Sequence, residues 1–250
     1  MAAMKGIMLG ICPGAQLVDI SHEITPYAIP EAAFTLEQAR RCFPKGTVHL
    51  VVVDPGVGSA RRPILVEAGG HRFVAPDNGV LTMLFDSTLF ASNPGHEVRA
   101  ITASRYFREP VSQTFHGRDV FAPVAARVAG GLQPSRLGVR IDDAVRLDFA
   151  KPVRRGPKRW VGVILKIDRF GNLITNFDSD AWRQFSGQPF EMKIGNRSVA
   201  KLAPHYSAMA AGELFAIAGS AGFLEISMNQ RSAAAAVDAR PGSVVELRLV

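Results

Sequence analysis

The sequence predicts an N-terminal α/β domain joined to a C-terminal antiparallel β-barrel-like domain. The first domain reads as a mostly parallel sheet with flanking helices, its first strand missing. Three observations predict this division. Up to about residue 150, strand-like and helix-like segments alternate, the pattern of a sheet with helices packed on it. After residue 160 the chain becomes a series of short strand candidates split by Gly, Asn and Ser, with little helix. Between them runs a basic stretch broken by Pro152, Gly156 and Pro157, the composition of an exposed linker. The expected boundaries are 1–150 for the α/β domain, 151–159 for the linker and 160–250 for the barrel domain.

Each element has a local reason. Residues 3–11 (AMKGIMLGI) look like the middle of a helix, with no strand and no Gly-rich turn before them. In open α/β sheets the first strand and the loop after it help line the ligand crevice, so that unit is expected to be missing. Ala32–Cys42 follows Pro30 and stops before Pro44, as a helix with proline at its start and a proline stop would. Thr47–Val53 is a short β-branched run, readable as a buried strand. Pro63–Ala68 and Arg72–Ala75 flank Gly69-Gly70, a hairpin signal. A helix is expected to begin within Gly79–Phe85, and another strand in Glu97–Ala103. Asp119–Ala129 reads as a helix capped by Asp119 and stopped by Gly130-Gly131, with Pro123 in its first turn or at a kink. In the second half, Trp160–Ile167, Leu173–Phe177, Phe190–Ile194, Ser198–Leu202, Leu214–Ala218, Phe223–Met228 and Ser243–Val250 are strand candidates. Asp180–Phe185 and Ser232–Val237 are brief helices.

Composition narrows the function classes. The chain has 250 residues, 47% of them hydrophobic and 20% charged, which is globular composition. No apolar run approaches the roughly 20 residues of a membrane span. The N-terminus lacks the basic start, long apolar core and small-residue cleavage site of a signal peptide. Cys12 and Cys42 make neither a disulfide framework nor a zinc site, so a reducing cytoplasm is the expected compartment. The net charge of +7 invites a nucleic-acid reading, but five of the basic residues lie in 151–160 with no acid among them. No helix-turn-helix, zinc-finger or aromatic RNA-binding signature accompanies them, so a linker is favoured and no nucleic-acid or membrane partner is expected.

Two motifs carry the densest chemical signal. Asp54-Pro55-Gly56-Val57-Gly58-Ser59-Ala60-Arg61-Arg62 follows directly on a strand, which places Asp54 at the sheet edge where α/β folds hold ligands. The same residue types also make a plain turn. Thr114-Phe115-His116-Gly117-Arg118-Asp119 stands before a helix, where the dipole favours a neutral imidazole facing a ligand. It reads equally as a helix cap with His116 a bystander. Ala75-Pro76-Asp77-Asn78-Gly79 favours an Asx turn. Asp168-Arg169-Phe170-Gly171-Asn172 suits recognition of a heterocycle or an ordinary hairpin. Gly219-Ser220-Ala221-Gly222 lets a backbone approach a ligand, or simply turns. The remaining histidines show no metal-ligand spacing, and His22 reads as a structural hydrogen-bonding residue.

In this order, MKGIMLGICPGAQLVDISHEITPY, VVDPGVGSARRPI, VAPDNGVLT, TFHGRDVFAPVAA, IDRFGNLITNF and GSAGFLEIS resemble the S-adenosyl-L-methionine hydroxide adenosyltransferases. These are hydrolytic relatives of the fluorinase and chlorinase enzymes. The resemblance runs from about residue 4 to the C-terminus. It implies hydrolysis of S-adenosyl-L-methionine to adenosine and L-methionine, by water or hydroxide attack at ribose C5′. It implies Asp54, Arg61 and His116 as the catalytic set, Arg61 being the arginine seven residues after the aspartate. It implies Tyr27 and Phe73 on the ribose side, Asp168 at the methionine amino group, Phe170 and Asn172 near adenine, and Ser220 at the methionine carboxylate. No cofactor and no metal are implied, since S-adenosylmethionine is itself the substrate. A homotrimer with the active site between subunits is implied as well.

Two departures from the family pattern leave other readings open. The family's opening strand and T-D-F-G-like turn, whose Asp grips the ribose hydroxyls, are expected to be missing. An N-terminally truncated, non-catalytic S-adenosylmethionine or adenosine binder is therefore the alternative. Gly219 also stands where relatives often carry Asn. A halogenase is disfavoured by the D-P-G-V-G and F-H-G-R-D segments.

Overall fold

The computed structural model describes residues 1–85, 95–183 and 187–250. It divides into two compact units, Met1–Leu147 and Asp148–Val250.

The first unit runs α1 (Ala2–Ile11), α2 (Ile29–Arg40), β1 (Val48–Leu50), β2 (Pro63–Ala68), β3 (His71–Pro76), α3 (Thr82–Phe85), β4 (Glu97–Ala100), α4 (Ala122–Ala129) and β5 (Arg140–Ile141). Pro30 sits in the first turn of α2, where its missing N–H costs nothing. The sheet order is β1-β3-β2-β4-β5. The mostly parallel sheet expected from the alternation is corrected here. Only β1 and β3 run parallel; β2–β3, β2–β4 and β4–β5 are antiparallel. The reason is local. Strands joined across the two glycines Gly69 and Gly70 have room only for a hairpin, and a parallel pair needs a crossover of a dozen or more residues.

The alternation of β2 and β3 splits the core between the two sheet faces. Ile64, Val66, Phe73 and Ala75 pack with Ala32 and Leu36 of α2. Leu65 and Val74 point the other way, onto Phe121, Val124, Ala125 and Val128 at α4. Asp119 does not cap α4, which is a second correction. The segment enters through a single π turn, Gly117–Phe121, and the α-helix follows from Ala122. Pro123 lies near that junction and has no N–H to give to the carbonyl four residues back. That carbonyl, on Asp119, instead accepts the Arg108 N–H at 2.8 Å.

The second unit carries β6 (Val153–Gly156), β7 (Arg159–Ile167), β8 (Leu173–Asp178), α5 (Ser179–Arg183), β9 (Phe190–Ile194), β10 (Arg197–Val199), β11 (Leu202–Ala203), β12 (Leu214–Ala218), β13 (Phe223–Met228), α6 (Ala233–Val237) and β14 (Val244–Leu249). Residues 184–185 of the expected brief helix lie outside the described residues. The sheet order is β10-β9-β14-β7-β8-β13-β12-β11, with β6 on β7. All pairs are antiparallel except β11–β12. This is a curled mixed sheet around one core that includes Ile164, Leu173, Phe177, Met192, Leu224, Ile226, Val245 and Leu247. The basic stretch is not a bare connector. Val153–Gly156 forms β6 and folds back on β7, with the Arg154 guanidinium 5.7 Å above the Trp160 ring.

Candidate active site

Asp54 lies just past β1. Val51 still donates to Val74 O at 3.0 Å, so the strand's course continues almost to the motif. The amide of Asn78 donates to Val53 O at 2.9 Å, and the Val80 N–H returns to Asn78 Oδ1 at 3.1 Å. This Asx turn fixes the backbone one residue before Asp54. The loop then reverses tightly, with Val57 N on Asp54 O at 3.2 Å and Ser59 N on Gly56 O at 3.0 Å. Gly58 has φ +80°, and a Cβ there would lie 2.7 Å from Gln113 O, so both conformation and space require glycine. Reversal brings Arg61 back to Asp54.

The two make a forked pair. Arg61 Nε donates to Asp54 Oδ1 at 2.9 Å, and Arg61 Nη2 donates to Oδ2. Both side chains are almost wholly buried, at 9% and 5% exposed, where such a pair exceeds a surface ion pair. Nη2 also lies 2.8 Å from His116 Nδ1. A guanidinium has no lone pair to offer, so His116 Nδ1 must be the acceptor. The imidazole is therefore neutral, with its proton on Nε2. Burial pushes the His116 pKa down, Arg61 adds to this, and Asp54 and Asp119 partly oppose it. The Arg61 guanidinium also sits 5.2 Å above the Phe121 ring at the π turn. Sequence reading overlooked that contact, because only the π turn brings Phe121 under Arg61.

Arg62 is separated from this chemistry. It donates to Asp77 at 3.0 and 2.6 Å and to Asp143 at 2.9 Å, while Asp77 accepts the Val145 N–H at 2.8 Å. Arg62 and the A-P-D-N-G segment are thus scaffold. His22 likewise pairs with Asp19 at 2.9 Å.

The expected substrate-binding residues fare unequally. Phe73 is fully buried, its ring stacked on His49 at 4.8 Å, and offers no surface to a ribose. That placement is corrected: β3 alternation turns its side chain into the core under α2. Tyr27 is 78% exposed, and so is available. In the second unit Phe170 is 80% exposed and Asn172 is buried. The Asp168 carboxylate accepts from Phe170 N and Asn172 N, both at 2.9 Å, and from Asn172 Nδ2 at 2.8 Å. Asp168 therefore shapes its own loop and keeps limited capacity for a further donor. Ser220 is exposed at the tip between β12 and β13. A Cβ at Gly219 would strike Glu225 Oε1, so a side chain there requires the Glu225 carboxylate to shift. Glu225 itself is buried and accepts from Tyr206 Oη at 2.9 Å, a contact that sequence reading missed.

The chain matches known proteins in two parts, one in each unit. Residues 1–138 match the SAM hydroxide adenosyltransferase N-terminal domain, and residues 162–246 match the C-terminal domain. The chain belongs to the SAM hydroxide adenosyltransferase family. A member from Thermus thermophilus, an (R)-S-adenosyl-L-methionine hydrolase, is 36% identical over 98% of this chain and 93% of that protein. A fluorinase from an Actinoplanes species is 29% identical over 70% of this chain and 66% of its own length. Among solved structures, an uncharacterized conserved protein from Thermotoga maritima superposes with TM-score 0.83 at 35% identity, covering 99% of this chain and 94% of that one. Membership in the adenosyltransferase family thus extends over both units.

Proposed function

We propose that this family member hydrolyses S-adenosyl-L-methionine to adenosine and L-methionine. The observation that carries the proposal is the Asp54–Arg61–His116 cluster, in a chain whose relatives in Thermus and Salinispora are named as hydrolases of this substrate. Water attacks C5′ of the ribose. The C5′–O bond forms as the C5′–S bond breaks, and its electron pair goes to sulfur. The sulfonium becomes a neutral thioether, and the water gives one proton to solvent by way of Asp54, the acceptor that the cluster offers it.

The cluster offers a water what it needs. Asp54 has lone pairs beyond those taken by Arg61, so it accepts from the water. Nε2–H of His116 donates to it. Together they fix the oxygen for in-line attack. The Arg61 charge favours hydroxide character as the proton leaves. Because the substrate cation is lost in the transition state, a dry pocket accelerates the reaction further. The remaining set proposed for substrate binding is Tyr27, Asp168, Phe170, Asn172 and Ser220.

A cytoplasmic location and a homotrimer are proposed with it. Fluorinases among the relatives keep halide in view as the competing nucleophile. Purified protein incubated with the substrate is expected to yield adenosine by chromatography, with comparable losses on Asp54→Ala and His116→Ala. Tight binding by calorimetry without any turnover would support a non-catalytic binder instead. A 5′-halogenated nucleoside formed in halide would support the halogenase reading.

A further inference from the structure

The segments on both sides of His116 converge on one buried residue, Asp119, through its carboxylate and its backbone. Asp119 is fully buried in the π turn. Its Oδ1 accepts from Arg118 Nε at 2.7 Å and Arg108 Nη1 at 3.3 Å. Its Oδ2 accepts from Arg118 Nη2 at 2.8 Å and from the Ser112 N–H at 2.9 Å. Its backbone carbonyl accepts the Arg108 N–H, and its own N–H donates to Phe115 O at 3.1 Å. The Arg118 guanidinium, held by the carboxylate, lies 4.9 Å above the Phe115 ring. Residues 108, 112, 115 and 118 thus converge on Asp119, and His116 stands inside that frame.

We propose that Asp119 is the positioning residue for His116, fastening the 108–118 segment so that the ring presents Nδ1 to Arg61 and Nε2 outward. This rests on reading His116 as a site residue. The physical case is that a loop leading into a π turn has few backbone ladder bonds of its own. One carboxylate with four acceptor directions replaces them. The π turn itself is the kind of local irregularity often found at functional sites. The charges around the ring are Arg61, Asp54 and Asp119, with Arg118 beyond Asp119. Asp119 is the member that touches neither Arg61 nor the imidazole, so its effect on both must pass through position and field.

The test is Asp119→Asn beside Arg118→Leu, with turnover and a histidine NMR titration of the ligand-free protein. Asn keeps some hydrogen bonding but removes the charge and one fork. Its kcat is expected to fall about 10²-fold, the cost of an ångström-scale misplacement, while KM stays within a few-fold. The His116 midpoint is expected to move down, because a negative charge that favours the imidazolium has gone. Arg118→Leu removes a positive charge and should move the midpoint up. Unchanged kcat and an unchanged His116 midpoint in folded Asp119→Asn protein overturn the proposal. If Asp119→Asn fails to fold, Arg118→Leu decides it by the same two readouts. If wild-type protein shows no turnover, the proposed function fails, and the titration still reads the proposal.

Discussion

At the scale of single residues, the arrangement separates two adjacent arginines with opposite duties. Arg61 reaches Asp54 and His116, and Arg62 reaches Asp77 and Asp143. Arg61→Met is therefore expected to cost at least about 10²-fold in kcat as well as stability, whereas Arg62→Met lowers thermal stability and spares kcat. Parallel melting curves and initial rates check both halves. The pH dependence follows from the neutral imidazole. Since burial and Arg61 hold the His116 pKa below its ordinary value, kcat/KM should stay flat through neutrality and fall only on the acid side, as the imidazolium forms. A limb rising above pH 7 would contradict this assignment. On local sequence alone the Asp54 and His116 segments read equally as a turn and a helix cap; the ordered resemblance singled them out, and the structure brings both onto Arg61. The placement of Phe73 was not legible in the sequence. Its place on β3 decides that it faces α2, and nothing in one sequence shows which face of a hairpin is the ligand side.

At the scale of elements, the loop after β1 is the part that aligns the site. Gly58→Ala would put a side chain at positive φ against Gln113 O, a strain of about 1–3 kcal/mol. It should lower kcat along with stability. Gly56→Ala has an ordinary φ and comes tightest to a side-chain atom, Ser59 Oγ at 3.2 Å, with Arg61 Cγ at 3.5 Å, and should be milder, so the ratio of the two effects tests the claim by urea melts and rates. Most strands of the second unit could be read from their short runs of alternating residues. β12 and β13 fall where Leu214–Ala218 and Phe223–Met228 predict them. β6 was hidden because its basic, proline-flanked composition resembles a linker, and only pairing with β7 makes it a strand. Strand direction in the first unit was misread for a related reason. Alternation of strand and helix signals is blind to whether neighbours in sequence are neighbours in the sheet, although the Gly69-Gly70 signal already required one antiparallel pair.

At the scale of the molecule, the first unit carries an acid-labile point away from the catalytic cluster. His49 and His71 meet at 3.2 Å across β1 and β3, with His49 stacked on Phe73 and edge-on to Phe43. Burial, helped by His71 and Arg40, lowers the His49 pKa to about 4. The unfolded chain then binds this proton more readily than the folded one below the ordinary value of 6.5. The stabilising contribution is present above that pH and is lost as the pH falls towards about 4, by at most about 3 kcal/mol. Denaturant titrations between those limits should show a shallower loss for His49→Gln than for wild type, and equal slopes would refute the assignment. The match to the SAM hydroxide adenosyltransferases covers both units. The most direct measurement is mass spectrometry of the nucleoside formed from S-adenosyl-L-methionine in heavy-oxygen water. The account predicts adenosine carrying the heavy oxygen at its 5′ position, lost in Asp54→Asn protein. Adenosine without the label, or no adenosine at all from folded protein, would contradict it.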